Sequence, residues 1–555
     1  MATKGSRILV ETLVEEGTEV IFGYPGGAVL PLFDALYDAP MRFVLVRHEQ
    51  AAAHAADGYA RATGRVGVCI ATSGPGATNL TTGIATANMD SIPLVAITGQ
   101  VRTHLIGNDA FQEADTTGIT RSITKHNYLV KDIRDLARTI KEAFYIARSG
   151  RPGPVLVDVP VDITMAELDG EPDKRIRLPG YKPRTEGHPR QIRLAAAALN
   201  EAQRPVLFVG GGVILSNASD ELRQLAETAN APVTMTLMGL GAFPGDHRLS
   251  LGMLGMHGTP AANYAVTESD LVFAVGARFD DRVTGRIDAF APSAKVVHID
   301  VDPSSISKTV HVDIPVVGDA AQVLRELLPQ VRHGARDAWH AQIAEWKRKH
   351  PLSYNGGDAI KPQAVIQELC RMAPEDTIIT TEVGQNQMWT ALWYTFRKPR
   401  TLLTSGGLGT MGFGFPAALG AQAAWPDRLV IDIAGDGSIQ MNIQELATVV
   451  QHKLPVKVLI LNNGYLGLVR QWQELFYKKR YSHSRMENPD FVKVAEAYGA
   501  HGLRVTEPKE VQEALREMIR TEGPVFLDVV VAPEENVFPF VPPGEAINRM
   551  IGELA

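Results

Sequence analysis

The sequence predicts an α/β protein of three doubly wound parallel-sheet domains, the first and third related and the middle one dinucleotide-binding-like. Three observations carry this. Short apolar runs alternate with stretches of helical spacing along the 555 residues. One layout of strand, Gly-x-Gly, helix, strand and polar stop occurs twice. It reads VGVCIATSGPGATNL with IPLVAITGQ (66–80 and 92–100), then LVIDIAGDGSIQMN with LPVKVLILNN (429–442 and 454–463). Near-identical strands follow, GPVLVDVPV (153–161) and GPVFLDVVV (523–531). The third observation is a run ending in three glycines, PVLFVGGGVI (205–214), followed by a strand ending in acids, AKVVHIDVDP (294–303).

The elements follow in order. MATKGSRILVETLVEEG (1–17) goes directly into an amphipathic helix, with no signal or transit segment expected. MRFVLV (41–46) is a strand closing at Glu49, and the first copy of the layout follows. RLPGYKPRTEGHPR (177–190), rich in Pro and Gly and without periodicity, is a linker. LVFAVGARFDDRVTG (271–285) adds a strand to the middle unit, and the loop-rich stretch 346–358 leads into the second copy. The expected domains are residues 1–175, 190–335 and 360–555.

Composition limits the function classes. Apolar content of 45% and charged content of 21% are those of a globular protein. A net charge of −7 gives no reason to expect nucleic acid or an anionic membrane as partner. The two cysteines, Cys69 and Cys370, rule out a disulfide framework or zinc cluster and suit a cytoplasmic protein. No stretch reaches the roughly 18 apolar residues of a membrane span.

Within 435–463, GDG closes one strand and NN the next, with a helical segment between. Parallel pairing with a right-handed crossover sets the carboxyl ends of both strands side by side, where open α/β sheets bind ligands. Asp436 and Asn463 offer hard oxygen atoms for Mg²⁺, which shares its shell with phosphate oxygens. Either motif alone is an ordinary turn; the pair, each closing a strand, favours a metal-bridged diphosphate. Where the second copy has Asp436 the first has Pro75, so the metal belongs to the second copy only.

These motifs resemble the thiamine-diphosphate (ThDP) enzymes, whose pattern is GDG, some thirty residues, then NN. Within that family the resemblance is to acetohydroxyacid (acetolactate) synthase catalytic subunits. It rests on YPGGA (24–28), RHEQAAAHAADGYAR (47–61), DAFQE (109–113), GRPGPVLVD (150–158), LGMHG (254–258), ARFDDRVTG (277–285), GGLGTMGFG (406–414) and QWQELFY (471–477).

The resemblance implies the following roles. Glu49 pairs with the cofactor's aminopyrimidine so that its imino nitrogen becomes the internal base; the competing reading is an ion pair with Arg47. Met411 props the cofactor in its bent form. Tyr24, Gly26, Val383, Gln385, Gly409, Gly435, Gly437 and Ser438 match cofactor-binding positions, and Asp436, Asn463 and Tyr465 the Mg²⁺ ligands. Gln112 matches a catalytic position. Arg282 and Trp472 match the residues that take the carboxylate and alkyl group of the second ketoacid. Without the family, Arg282 reads as an ion pair with Asp280 or Asp281, and Trp472 as core. Arg151, Gly210, Gly211, Gly212, Thr236, Leu237, Met238, Leu254, Gly255, Met256, His257, Gly276, Arg278, Asp280, Asp300 and Asp319 match positions contacting FAD, a structural or vestigial flavin in a reaction without net redox change.

The implied activity decarboxylates pyruvate and joins the remaining two-carbon unit to a second pyruvate or to 2-ketobutyrate, for branched-chain amino-acid synthesis. The alternative is an FAD-dependent pyruvate oxidase of the same fold, against which Arg282 and Trp472 argue. Glyoxylate carboligase lacks the glutamate at the position of Glu49. The implied assembly is a homodimer or tetramer with active sites between subunits, with or without a small regulatory subunit. Two departures stand out: Val161 replaces a lysine of many relatives, and Arg102 a proline of plant and fungal ones. Roles of those residues in the access channel and in herbicide contact therefore do not transfer.

Overall fold

The computed structural model describes residues 2–552. Three six-stranded parallel sheets lie in sequence, each with helices on both faces. The first runs in the spatial order 42–45, 20–23, 67–71, 94–100, 154–160, 126–129, and the third in the order 402–403, 378–381, 430–435, 457–462, 525–530, 501–505. Numbered by appearance, both are 2-1-3-4-6-5, so the repeat in the sequence is a repeat of topology. The middle sheet runs 250–253, 233–235, 205–209, 271–275, 295–300, 314–317, or 3-2-1-4-5-6, the dinucleotide-binding order. Its direction of winding reverses between Pro205–Val209 and Leu271–Val275, which pair directly.

The central strands are buried on both faces, which is why they read as unbroken apolar runs rather than alternating ones. As expected, Val430–Gly435 and Lys457–Asn462 pair in parallel, Gly435 opposite Leu461. The connection between them is not one helix. Asp436–Ile439, Ile443–Glu445 and Leu446–Gln451 are separate pieces. The break falls at Asn442, whose side-chain amide turns aside to donate to the carbonyl of Gly412 at 2.6 Å. Two further details differ from expectation. Thr3–Lys4 pairs antiparallel with Glu167–Leu168 ahead of the first helix, Gly5–Glu15. The stretch 346–358 begins inside the helix Asp337–Lys349, whose Trp339 and Ile343 are buried.

The outer sheets meet through helices Glu49–Thr63 and Gly414–Ala424. Both are rich in alanine and glycine because the backbones nearly touch: a Cβ on Gly58 would lie 2.6 Å from Ala417 Cα. Buried Arg61 bonds Asp57 and Asp90 and donates to the carbonyl of Thr404 at 2.9 Å. Asp90 in turn accepts from the N–H groups of Gly406 and Gly407. The first sheet's helices thus fix a loop of the third. Among the described residues, no helix is long and apolar enough to cross a membrane.

Candidate active site

The first cleft opens at the carboxyl ends of Val430–Gly435 and Lys457–Asn462. Its cavity of about 70 Å³ is lined by Val383, Gln385, Met411, Gly435, Asp436, Gly437, Ser438, Asn463 and Tyr465, nine residues the sequence assigned to cofactor and metal. Asp436 is 1% exposed, and burial pushes its carboxyl up to about 6. Its Oδ2 accepts from Asn488 Nδ2 at 2.6 Å and Gly464 N at 2.9 Å. Asn463 Nδ2 donates to Gln385 Oε1 at 3.1 Å, and its Oδ1 accepts from Tyr465 N. Among the described residues no three His, Cys, Asp or Glu gather round a metal position. A donor set of one carboxylate and one amide oxygen fits a hard cation completing its shell from phosphate and water, and a cation relieves the burial of the Asp436 charge.

A second group forms at the carboxyl ends of strands 20–23 and 67–71. Glu49 opens its helix and accepts from Asn79 Nδ2 at 2.9 Å. Its Oε1 lies 3.3 Å from where Gly76 would carry a Cβ, which also meets Thr72. Gly26 packs on that same Thr72, and Gly74 packs on the backbone of Gln112, which has a φ of 58°. Tyr24 donates its N–H to Ile70 and is 40% exposed. The competing ion pair does not form: Arg47 turns to Leu45 O and Gln451 Oε1. The structure therefore gathers Glu49, Gly26 and Gln112 onto one face. That face lines neither cavity of its own chain.

A second, larger cavity, about 700 Å³, sits at the winding reversal of the middle sheet and reaches the third. This is the size of a cofactor site. Gly210 and Gly212 lie against Gly276, with no room for a Cβ on either, so backbone forms the floor. Arg151, Gly211, Thr236, Leu237, Met238, Leu254, Met256, His257, Arg278, Asp280, Asp300 and Asp319, the positions matched to flavin contact, line it. Gly409 is a correction: matched to the ThDP positions, it lines this cavity and not the cleft at Asp436. Gly255 is a correction: with a φ of 110° and its N–H on Asn263 Oδ1, it turns behind the wall between Leu254 and Met256. His257 is buried, which pushes its imidazole down to about 4, and its Nδ1 has no partner. Such an orphaned atom on a cavity wall fits a polar ligand group. Asp300 accepts from Asp302 N, and Asp319 caps the helix Ala320–Leu327. The donors and size suit a dinucleotide.

Arg282 and Trp472 line the same cavity. Arg282 pairs with Asp281 at 3.2 Å with both side chains exposed, a pair worth about 0–1 kcal/mol that leaves the guanidinium available. Trp472 is only partly buried and packs edge-on to Phe476 and Phe540, so it is not core. Leu468 and Val469 line both cavities, making the first turn of the helix Gly467–Phe476 the partition between them.

Sequence reasoning missed Asn488, Gln387 and Glu382. Gln387 lines the large cavity and donates to Thr404 Oγ1 and Ser405 O. Glu382 carried a signal, since it is a polar stop after the strand Ile378–Thr381, like the stops that were read as sites. Asn488, in an irregular stretch, had none. The two departures are neighbours: Thr103 N, after Arg102, donates to Asp162 Oδ1, after Val161, at 3.0 Å.

Residues 3–119 match the thiamine pyrophosphate enzyme N-terminal TPP binding domain, 192–327 the central domain, and 382–529 the C-terminal TPP binding domain. The chain is 52% identical over 562 residues to the probable acetolactate synthase large subunit of Methanocaldococcus jannaschii, covering 99% of this chain and 95% of that one. It is 50% identical to the acetolactate synthase isozyme 3 large subunit of Escherichia coli K12, with 98% of both chains covered. A third relative, the acetolactate synthase large subunit of Corynebacterium glutamicum, is 50% identical over 98% of this chain and 89% of its own.

Proposed function

The chain belongs to the acetolactate synthase large subunits, within the thiamine pyrophosphate enzymes, and from that premise we propose how its residues divide the reaction. It is a ThDP-dependent acetolactate synthase; the pyruvate oxidase alternative is not favoured. Asp436, the Asn463 side-chain oxygen and Tyr465 would hold Mg²⁺, while Gly435, Gly437 and Ser438 would let backbone approach the diphosphate. Bound there, ThDP supplies a carbon acid whose conjugate base acts as nucleophile and electron sink. Glu49 would hydrogen-bond and orient the pyrimidine ring, and Met411 would support the cofactor from the cleft wall.

Glu49 and the metal cleft occupy separate faces of one chain. That separation supports an active unit of two chains or more, the Glu49 face of one covering the cleft of another. The large cavity suits FAD, with Asp300 near a ribose and the Gly210–Gly212 backbone near the phosphates. Substrates are pyruvate and 2-ketobutyrate. The observation that carries a ligase over an oxidase is that Arg282 and Trp472 face one cavity across the Leu468–Val469 partition from the metal cleft. A guanidinium for a carboxylate and an indole for an alkyl group are what a second ketoacid requires. The names of the relatives as large subunits support a small regulatory partner, and the cysteine content a cytoplasmic setting.

The test is incubation of the purified chain with pyruvate, ThDP, Mg²⁺ and FAD without an electron acceptor, for wild type and Glu49→Gln. Acetolactate without matching oxygen uptake, lost in the variant, is expected. Oxygen uptake with acetate or acetyl phosphate would remove the roles given to Arg282 and Trp472.

A further inference from the structure

We propose that Glu382 is a positioning residue whose buried carboxylate clamps the turn following Met411, so that the methionine stands in the metal cleft; this rests on the role given above to Met411. Glu382 is fully buried at the end of the strand Ile378–Thr381, directly before the cleft residue Val383. It accepts from Gly412 N at 2.6 Å and from Phe415 N at 3.1 Å, and the N–H groups of Phe413 and Gly414 also point at it. The carboxylate therefore fills a nest of backbone donors, a concave site suited to an anion.

The next peptide is held from the other side. Gly412 has a φ of 85°, and its carbonyl accepts from Asn442 Nδ2 at 2.6 Å. On the N-terminal side Thr410 N donates to Ser405 Oγ at 3.0 Å. Met411 is thus the one partly exposed side chain between pinned neighbours, and it faces the cleft. Stability alone does not account for Glu382. Among the described residues no cation pairs with it, and Asp432, likewise buried, lies beside it and raises the cost of charge. Burying a carboxylate without a cation is unfavourable, and an apolar side chain would suit a core better. What an apolar side chain cannot do is hold those N–H groups.

The test is a double-mutant cycle with the ThDP–Mg²⁺ holoenzyme, using Glu382→Gln, Met411→Ala and the pair. Two readouts are followed: exchange of the cofactor's C2 proton into D₂O, read by NMR after acid quench, and ThDP affinity from tryptophan fluorescence. Glu382→Gln is expected to slow exchange about a hundredfold, the scale of an ångström's misplacement, with ThDP affinity and the KM for pyruvate little changed. The double variant should be no slower than Met411→Ala alone. Asn442→Ala, which releases Gly412 from the opposite side, should show the same non-additivity and decides the matter if Glu382→Gln does not fold. Unchanged exchange, or losses that multiply in the double variant, would overturn the clamp. A wild type that exchanges the proton but forms no acetolactate overturns the function above and leaves the cycle to judge the clamp.

Discussion

The first and third sheets share one strand order, and their differences lie at two strand ends. Sheet register makes Asp158 and Asp528 equivalent, because they face Thr98 and Ile460 on matching strands. Asp158 accepts from Gln100, and Asp528 from Asn462, the equivalent residue. Beyond that point the copies part. Asn462 Oδ1 accepts from Asn488, which also donates to Asp436, so a hydrogen-bond chain runs from Asp528 to the proposed metal ligand. In the first copy Gln100 reaches instead to Ala114 O and anchors the segment that carries Gln112. Buried Val101 occupies the place of Asn463. The same counting refines the sequence comparison. Pro75 matches Asp436 as the first residue of a helix, but by register Ser73 does, because the first copy has two more residues between strand and helix. One scaffold thus presents two different strand ends, to which the proposed function gives the metal and the pyrimidine, separated by a few substitutions and a two-residue insertion.

The comparison is broken most severely at the ligand itself. Asp436→Ala should lower acetolactate formation about a thousandfold, the several kcal/mol of charge stabilisation a metal supplies, whereas Ser73→Ala should leave Mg²⁺ affinity unaltered; a Mg²⁺ titration of activity separates them. Next comes Glu49→Gln, expected to cost about 10²–10⁴-fold in rate, as loss of proton transfer does, with the Mg²⁺ requirement unchanged. Asn488→Ala should weaken Mg²⁺ binding about 10- to 100-fold, the usual effect of removing a partner that orients a ligand; an unchanged midpoint would cut the chain from Asp528. The smallest effect concerns pH. Burial pushes Asp158 up to about 7, so the folded state keeps a proton that the unfolded chain releases near 4. Stability from this group is therefore present at low pH and lost as pH rises from about 4 to 7. Asp158→Asn should flatten that slope in chemical denaturation. Asp528 adds Arg504 at 3.0 Å as a charged partner.

Much of this was legible in the sequence because strands and turns are written locally. The duplicated strand–Gly-x-Gly layout announced two related sheets, and nine of the residues assigned to cofactor and metal line one cleft. Where the reading needed distance in space, it fell short. Nothing near Trp472 says that Phe540 will stand beside it, so without the family resemblance it read as core. Asn488 reaches Asp436 from 52 residues away, out of an irregular segment with no period to read. Gly255 belonged to a run whose neighbours face the cavity, and only its backbone turn excludes it.

The third sheet also stands in a particular mechanical relation to the others. Its buried side chains form a continuous apolar mass with the middle unit, joining Leu207 and Phe273 to Ile431 and Leu527. A second such mass joins it to the first unit, from Ala52 and Phe22 to Phe415 and Val458. The third sheet is a keystone. Proteolytic nicking in the irregular residues 169–188 should therefore release no free-standing piece, and melting should be a single cooperative event, since neither flank can loosen without uncovering the centre.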